Sequence, residues 1–327
     1  MAPARGVPYL GGMERRLLGS TGAQVFPLNL GGNVFGWTAD RDASFAVLDA
    51  YREAGGNFVD TADVYSKWVP GHRGGESEEM LGAWLRDRGC ADEMIVATKV
   101  GMGGPGYEAG LTAAQIRTAC EGSLRRLGVE RIELYYAHKD DENTPLEESL
   151  RAFDELVCAG KVRWLGASNY TPARLREALA LQERLGLAPF RVFQPPYNLV
   201  NRAAFEGELA RVCREHGLAV CTYHALASGF LTGKYGGGAS VQSPRAKGVQ
   251  RFLDDPKAMA TLAALREVAQ RTGATVAQVA IAWVLHRPDV TTPIASATSV
   301  PQLRELLGAV DLRLDAAALE ALDRASA

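Results

Sequence analysis

The chain has 327 residues, 47% hydrophobic and 23% charged, with 36 Lys and Arg against 38 Asp and Glu. That composition excludes a disordered chain and is enough to bury a sizeable core, while the near-neutral balance and the lack of a basic block argue against nucleic acid or a membrane surface as partner. The five cysteines (Cys90, Cys120, Cys158, Cys213, Cys221) are odd in number and never spaced C-x-x-C, and no apolar run has the length of a secretory leader or a membrane span. A cytoplasmic, reduced protein is expected.

The first 13 residues read as a loosely ordered extension to a single domain spanning 1–327. Residues 16–25, with Gly-Ser-Thr-Gly between apolar runs, read as a short hairpin that caps the bottom of the fold. From residue 26, short apolar runs alternate with amphipathic stretches. Strands are expected at 26–30, 57–61, 94–99, 132–137, 162–167, 191–194, 219–223 and 292–295. Helices are expected at 44–54, 77–88, 112–127, 146–159, 174–185, 203–216 and 302–310. Eight strands with intervening helices predict an α/β fold, a closed (β/α)8 TIM barrel. Two further features interrupt the rhythm before the last strand: a Gly-, Ser- and Pro-rich stretch over 233–248, and an extra pair of helices at 257–272 and 276–286.

A barrel of this kind reacts at the C-terminal ends of its strands, so the residues just past each apolar run are the informative ones. The second strand delivers Asp60 and, five residues on, Tyr65. The third ends on Lys99 and the fourth on His138. A carboxylate, a phenol, an ammonium and an imidazole therefore meet on one rim. Phe58-x-Asp-Thr-Ala-x-x-Tyr65, Ala-Thr-Lys99 and the strand-terminal His138 resemble the catalytic tetrad of the aldo-keto reductase family, and the resemblance runs through the chain from about Arg16.

The resemblance implies hydride transfer between a nicotinamide and a small-molecule carbonyl or alcohol. Hydride arriving at a carbonyl carbon leaves negative charge on oxygen, which must take up a proton. Tyr65 is the implied acid and His138 orients the carbonyl. Lys99, held by Asp60, is expected to lower the phenol's pKa from its ordinary value near 10.

It also implies cofactor contacts: Ser168, Asn169 and Gln194 at the nicotinamide amide, and Tyr223 stacked on its ring. Leu226, Ser228, Gly229, Leu231, Gly233 and Lys234 would follow at the pyrophosphate, and Ser296, Thr298, Gln302 and Glu305 at the adenosine end. The chain departs from the pattern at His224, Ala225 and Leu306. Ser296 and Gln302 stand where members that grip a 2′-phosphate often carry Lys and Arg, but Arg245 sits where one subset places a phosphate-binding arginine. The expected cofactor is NADP(H), with NAD(H) as the alternative. Two other functions stand beside the reductase: an NAD-dependent alcohol dehydrogenase working oxidatively, and a cofactor-binding, low-turnover redox-sensing subunit like the family's potassium-channel β subunits. Trp37 and Trp68 are expected to line the substrate side. No metal is expected, and the chain is read as a monomer or homo-oligomer. The formal dinucleotide fingerprint Gly101-x-Gly103-x-x-Gly106 is set aside because Pro105 interrupts it and no helix follows directly.

Overall fold

The computed structural model describes residues 14–235 and 246–327. Eight parallel strands close into a barrel: β1 (Asn29–Gly31), β2 (Phe58–Asp60), β3 (Ile95–Val100), β4 (Ile132–Ala137), β5 (Val162–Ser168), β6 (Phe190–Gln194), β7 (Ala219–Thr222) and β8 (Thr292–Ala295), with β8 returning to pair with β1. Register sets Gly31 opposite Asp60, Lys99 opposite Tyr136 and Ser168 opposite Gln194, which aligns the strand ends that carry the polar residues.

Around the barrel lie α1 (Arg41–Glu53), α2 (Glu76–Arg88), α3 (Ala113–Leu127), α4 (Leu146–Cys158), α5 (Pro172–Leu185), α6 (Glu208–Glu215), α7 (Ala246–Leu253), α8 (Pro256–Thr272), α9 (Val276–Leu285), α10 (Val300–Leu307) and α11 (Ala316–Ser326). Local chemistry starts several of them. The Thr112–Gln115 and Thr275–Gln278 capping boxes open α3 and α9, and Asp40 accepts from the Ala43 amide to begin α1.

The barrel interior has its own apolar core, built by Phe58, Leu134, Tyr136, Val192, Cys221 and Ile294. Leu18 and Val25, fully buried, close it from below. They belong to the predicted hairpin, Arg16–Leu17 antiparallel to Gln24–Val25, and Arg16 ties it to the barrel through the carbonyls of Leu285, Val290 and Thr291.

Three expectations need correction. The first strand begins at Asn29, not at 26, since Pro27 has no N–H to give a ladder. The helix expected at 203–216 is confined to Glu208–Glu215, because Gly207 at φ 92°, ψ −117° is not helical. Among the described residues three α-helices, not two, lie between β7 and β8: α7 comes before the expected pair, and α11 follows the last expected helix and packs on α8. Residues 1–13 and Arg245 lie outside the described residues. Among the described residues, no helix is long and apolar enough to cross a membrane.

Candidate active site

The C-terminal rim of the barrel opens into a cavity of about 1070 Å³. At its floor Asp60 closes β2, Lys99 is the penultimate residue of β3, and His138 directly follows β4. Tyr65 arrives on the turn after β2 and is followed by Ser66 in a left-handed conformation (φ 73°), whose hydroxyl donates to the Phe35 carbonyl.

Lys99 is completely buried, and an ammonium survives there only if its three donors are satisfied. They are: Nζ lies 2.6 Å from Asp60 Oδ2, 2.7 Å from the Thr61 carbonyl and 3.0 Å from the Tyr65 hydroxyl. Tyr65 in turn donates to Asp60 Oδ2 at 3.2 Å. The other carboxylate oxygen accepts from Gln194 Nε2 at 2.8 Å. An ionised carboxylate only accepts, which fixes which end of the Gln194 amide faces it.

Burial, reinforced by the Asp60 charge, holds the Tyr65 phenol well above its ordinary value. The expected lowering by Lys99 is therefore not the state of this site: the phenol keeps its proton. Burial also lowers the Lys99 ammonium, with Asp60 opposing it. His138 is held well below the usual imidazole range by burial and then by Lys99, so its ring is neutral. That ring lines the cavity 6.1 Å from the Tyr65 ring, and its Nδ1 is buried without a hydrogen-bond partner.

Next along the cavity, the Tyr223 hydroxyl donates to Asn169 Oδ1 at 2.7 Å. Asn169 Nδ2 reaches the His138 carbonyl at 2.9 Å and Ser168 Oγ at 3.0 Å, and Ser168 donates to the Gln194 carbonyl at 2.8 Å. Beyond Tyr223 the chain turns through left-handed Ala227, Ser228 and Gly229. This brings Leu226, Ser228, Gly229, Thr232 and Lys234 to the cavity. At the far end Ser296 Oγ meets Asn33 Oδ1 at 2.6 Å, and Gln302 Oε1 accepts from both the amide and the hydroxyl of Thr298 at 3.0 Å. Glu305 and Leu306 complete this wall. A Cβ on Gly31 would stand 2.5 Å from Ser296 Oγ, so only glycine leaves that wall undisturbed.

Among the described residues expected to contact cofactor or substrate, three are not at the cavity wall. Leu231 is fully buried in the core, Gly233 packs towards Val276, and Trp37 stands behind Trp68, its ring edge-on at 5.4 Å. Arg245 is outside the described residues. The sequence reading missed Met102 and Lys139, which line the cavity, and the contact of Gln194 with Asp60. Lys139 adjoins His138 in sequence, a position adjacent to a strand end that was available to the same reasoning. The Gln194 contact spans 134 residues and had no local signal.

A (β/α)8 barrel whose open end gathers a carboxylate, an ammonium and a phenol beside a neutral imidazole, in a long cleft, defines a class of barrel with coupled titratable groups at its mouth. Residues 27–327 match the Aldo/keto reductase family, and the chain belongs to it. It is 32% identical over 310 residues to a probable voltage-gated potassium channel subunit beta of Arabidopsis thaliana, covering 92% of each chain. It is 35% identical over 318 residues to an uncharacterised oxidoreductase of Bacillus subtilis (strain 168), covering 95% of each. It is 31% identical over 313 residues to the L-glyceraldehyde 3-phosphate reductase of Escherichia coli (strain K12), covering 92% of this chain and 88% of the relative. Family membership makes this an oxidoreductase of carbonyl substrates.

Proposed function

We propose that the protein is a cytoplasmic NADPH-dependent carbonyl reductase in which Tyr65 donates the proton. The observation that carries this reading is the closed triangle of Tyr65 hydroxyl, Lys99 Nζ and Asp60 Oδ2 at the floor of the cavity.

The cavity suits a dinucleotide. Its length runs from the orphaned His138 Nδ1 past the Tyr223 ring and the Lys234 ammonium to the start of α10, so an aromatic end, an anionic middle and a second base would each meet fitting groups. Tyr223 would take the nicotinamide face, with Ser168, Asn169 and Gln194 nearby. Ser228, Gly229 and Lys234 would hold the pyrophosphate, and Ser296, Thr298, Gln302 and Glu305 the adenosine. When bound, the reduced nicotinamide supplies the hydride that adds to the carbonyl carbon. His138, being neutral, directs a ring N–H at the carbonyl oxygen. Tyr65 moves its hydroxyl proton onto that oxygen as charge gathers there. The Lys99 ammonium, 3.0 Å away, steadies the phenolate left behind, and Asp60 keeps the ammonium in place.

One observation favours a second reading, NAD(H). Where the cavity meets α10, the described lining offers Ser296, Thr298, Gln302, Glu305 and Leu306, with no basic side chain for a 2′-phosphate. Arg245 is the residue on which NADPH preference would rest. The test is turnover of a carbonyl panel followed at the reduced-nicotinamide absorbance band with each cofactor. Tyr65→Phe should lower kcat by ~10²–10⁴ with cofactor affinity unchanged; full activity in that variant sinks the mechanism. Equal affinity for NADH and NADPH, unaltered by Arg245→Ala, assigns the enzyme to NAD(H). Tight binding without turnover on any carbonyl would point to a redox-sensing role instead.

A further inference from the structure

The glycine-rich segment Gly101–Gly106 belongs to the loop between β3 and α3, which takes no part in the proton and hydride transfers. Gly101 (φ 126°) and Gly103 (φ 78°) take conformations that favour glycine, and the Gly110 amide donates back to the Gly101 carbonyl at 3.1 Å, closing the loop on itself. This closed loop is fastened to the Tyr65 turn on both sides of the phenol. Two residues before it, the buried Asp63 carboxylate accepts from the Tyr107 hydroxyl. Two residues after it, Lys67 Nζ donates to the Gly103 carbonyl at 2.9 Å. Met102, on the same loop, is 45% exposed and lines the cavity, as Trp68 and His138 do.

The backbone of the turn follows β3 as far as Asp63, through Thr61 N to the Ala97 carbonyl at 2.8 Å and a long Asp63 N to Lys99 carbonyl bond at 3.5 Å. Around Tyr65 the backbone bonds are local, Tyr65 N to the Ala62 carbonyl at 3.2 Å and Lys67 N to the Val64 carbonyl at 3.1 Å, with the Ser66 hydroxyl on the Phe35 carbonyl at 3.3 Å. Lys99 and Asp60 hold the tip of the phenol, but not the direction from which its backbone approaches.

We propose that the β3–α3 loop is a brace that sets the position of the Tyr65 hydroxyl, with Asp63, Tyr107 and Lys67 as positioning residues. Because Met102 belongs to the same loop, contact with a substrate's apolar part bears on the same brace. The inference rests on Tyr65 being the proton donor. A misplacement of 1 Å in a reacting group costs on the order of 100-fold in rate, so a partial release of the turn should cost about 10-fold.

The test uses Tyr107→Phe, which removes one hydroxyl from a half-buried ring, and Lys67→Met, which keeps the stem and loses the donor. Each should lower kcat about 10-fold for a small aldehyde, with cofactor affinity, read by quenching of protein fluorescence, within twofold of the parent. Lys67→Arg, which keeps a donor, should restore most of the rate. The brace is overturned if both variants turn over within twofold of the parent, or if the loss in kcat is matched by a loss of cofactor affinity, which marks general unfolding. Tyr65→Phe run alongside separates the two readings. If it remains active the proton-donor role has failed, whereas an inactive Tyr65→Phe beside a fully active Tyr107→Phe removes the brace alone.

Discussion

Replacing Lys99 with Met tests how the floor of the cavity is held together. Lys99 is fully buried and Asp60 nearly so, with Nζ and Oδ2 at 2.6 Å. At that separation and an effective dielectric of 20 the gross attraction is about 6 kcal/mol, most of it spent against the cost of taking both charges out of water. Lys99→Met leaves Asp60 buried with only Gln194 Nε2 and the Tyr65 hydroxyl as donors, and losing one member of such a pair costs ~3–5 kcal/mol. With a urea m-value of ~3 kcal/mol/M, the unfolding midpoint should fall by roughly 1–1.7 M. Adding Asp60→Asn removes the stranded charge, so the double variant should regain most of that stability. Its kcat should nonetheless stay ~10²–10⁴ below the parent, because no ammonium then stabilises the phenolate that the proposed proton transfer leaves on Tyr65. A double variant no more stable than Lys99→Met, or one that recovers activity, would refute the reasoning.

The Asp63 carboxyl is pushed up to about 7, first by burial and then by Glu78. A raised carboxyl favours its protonated folded form, so this group's contribution is lost as pH rises from about 4 through 7, a span worth on the order of 4 kcal/mol. Asp63→Asn should flatten the decline of urea stability between pH 5 and 8 relative to the parent; an unchanged slope places the Asp63 titration elsewhere. His138 works in the opposite sense: its lowered pKa withdraws stability as pH falls below about 6.5, so His138→Asn should stabilise the fold relative to the parent at pH 5 more than at pH 8, by the same urea titration. Gly166→Ala would put a Cβ 2.5 Å from the Tyr136 ring beneath Lys99. Overpacking of that kind costs ~1–3 kcal/mol, and a variant with unchanged stability would show that the ring yields freely.

Much of the rim was legible in the sequence because a barrel converts strand ends into neighbours. Asp60, Lys99 and His138 are each one position from the end of an apolar run, so predicting the strands predicted their meeting. Tyr65 followed from its fixed offset along the turn. The features that escaped each have a physical reason. Helix α7 starts at Ala246, inside the stretch over 233–248 whose Gly, Ser and Pro content argued against a helix there. In α11 the buried stripe is Ala318, Leu322 and Ser326, too weakly apolar to announce a face. Gly207 broke a helix that the pattern of 203–216 supported on every other count. Leu231 and Gly233 match a cofactor motif but serve the loop's own packing, a distinction that depends on which side of a turn faces the cleft.

The largest departure concerns the charge state of Tyr65. From sequence, a lysine beside a tyrosine argues for a lowered phenol pKa, since an ammonium favours phenolate. In the folded site the same lysine is already shared among Asp60, Thr61 and Tyr65, and its charge is largely answered by the carboxylate. Burial and Asp60 then win, and the phenol stays protonated. For the proton donor proposed above this is the useful direction, because the proton would be present when the carbonyl arrives. On that reading the ammonium's contribution is deferred until the phenolate forms, when it would stabilise the transition state more than the resting enzyme.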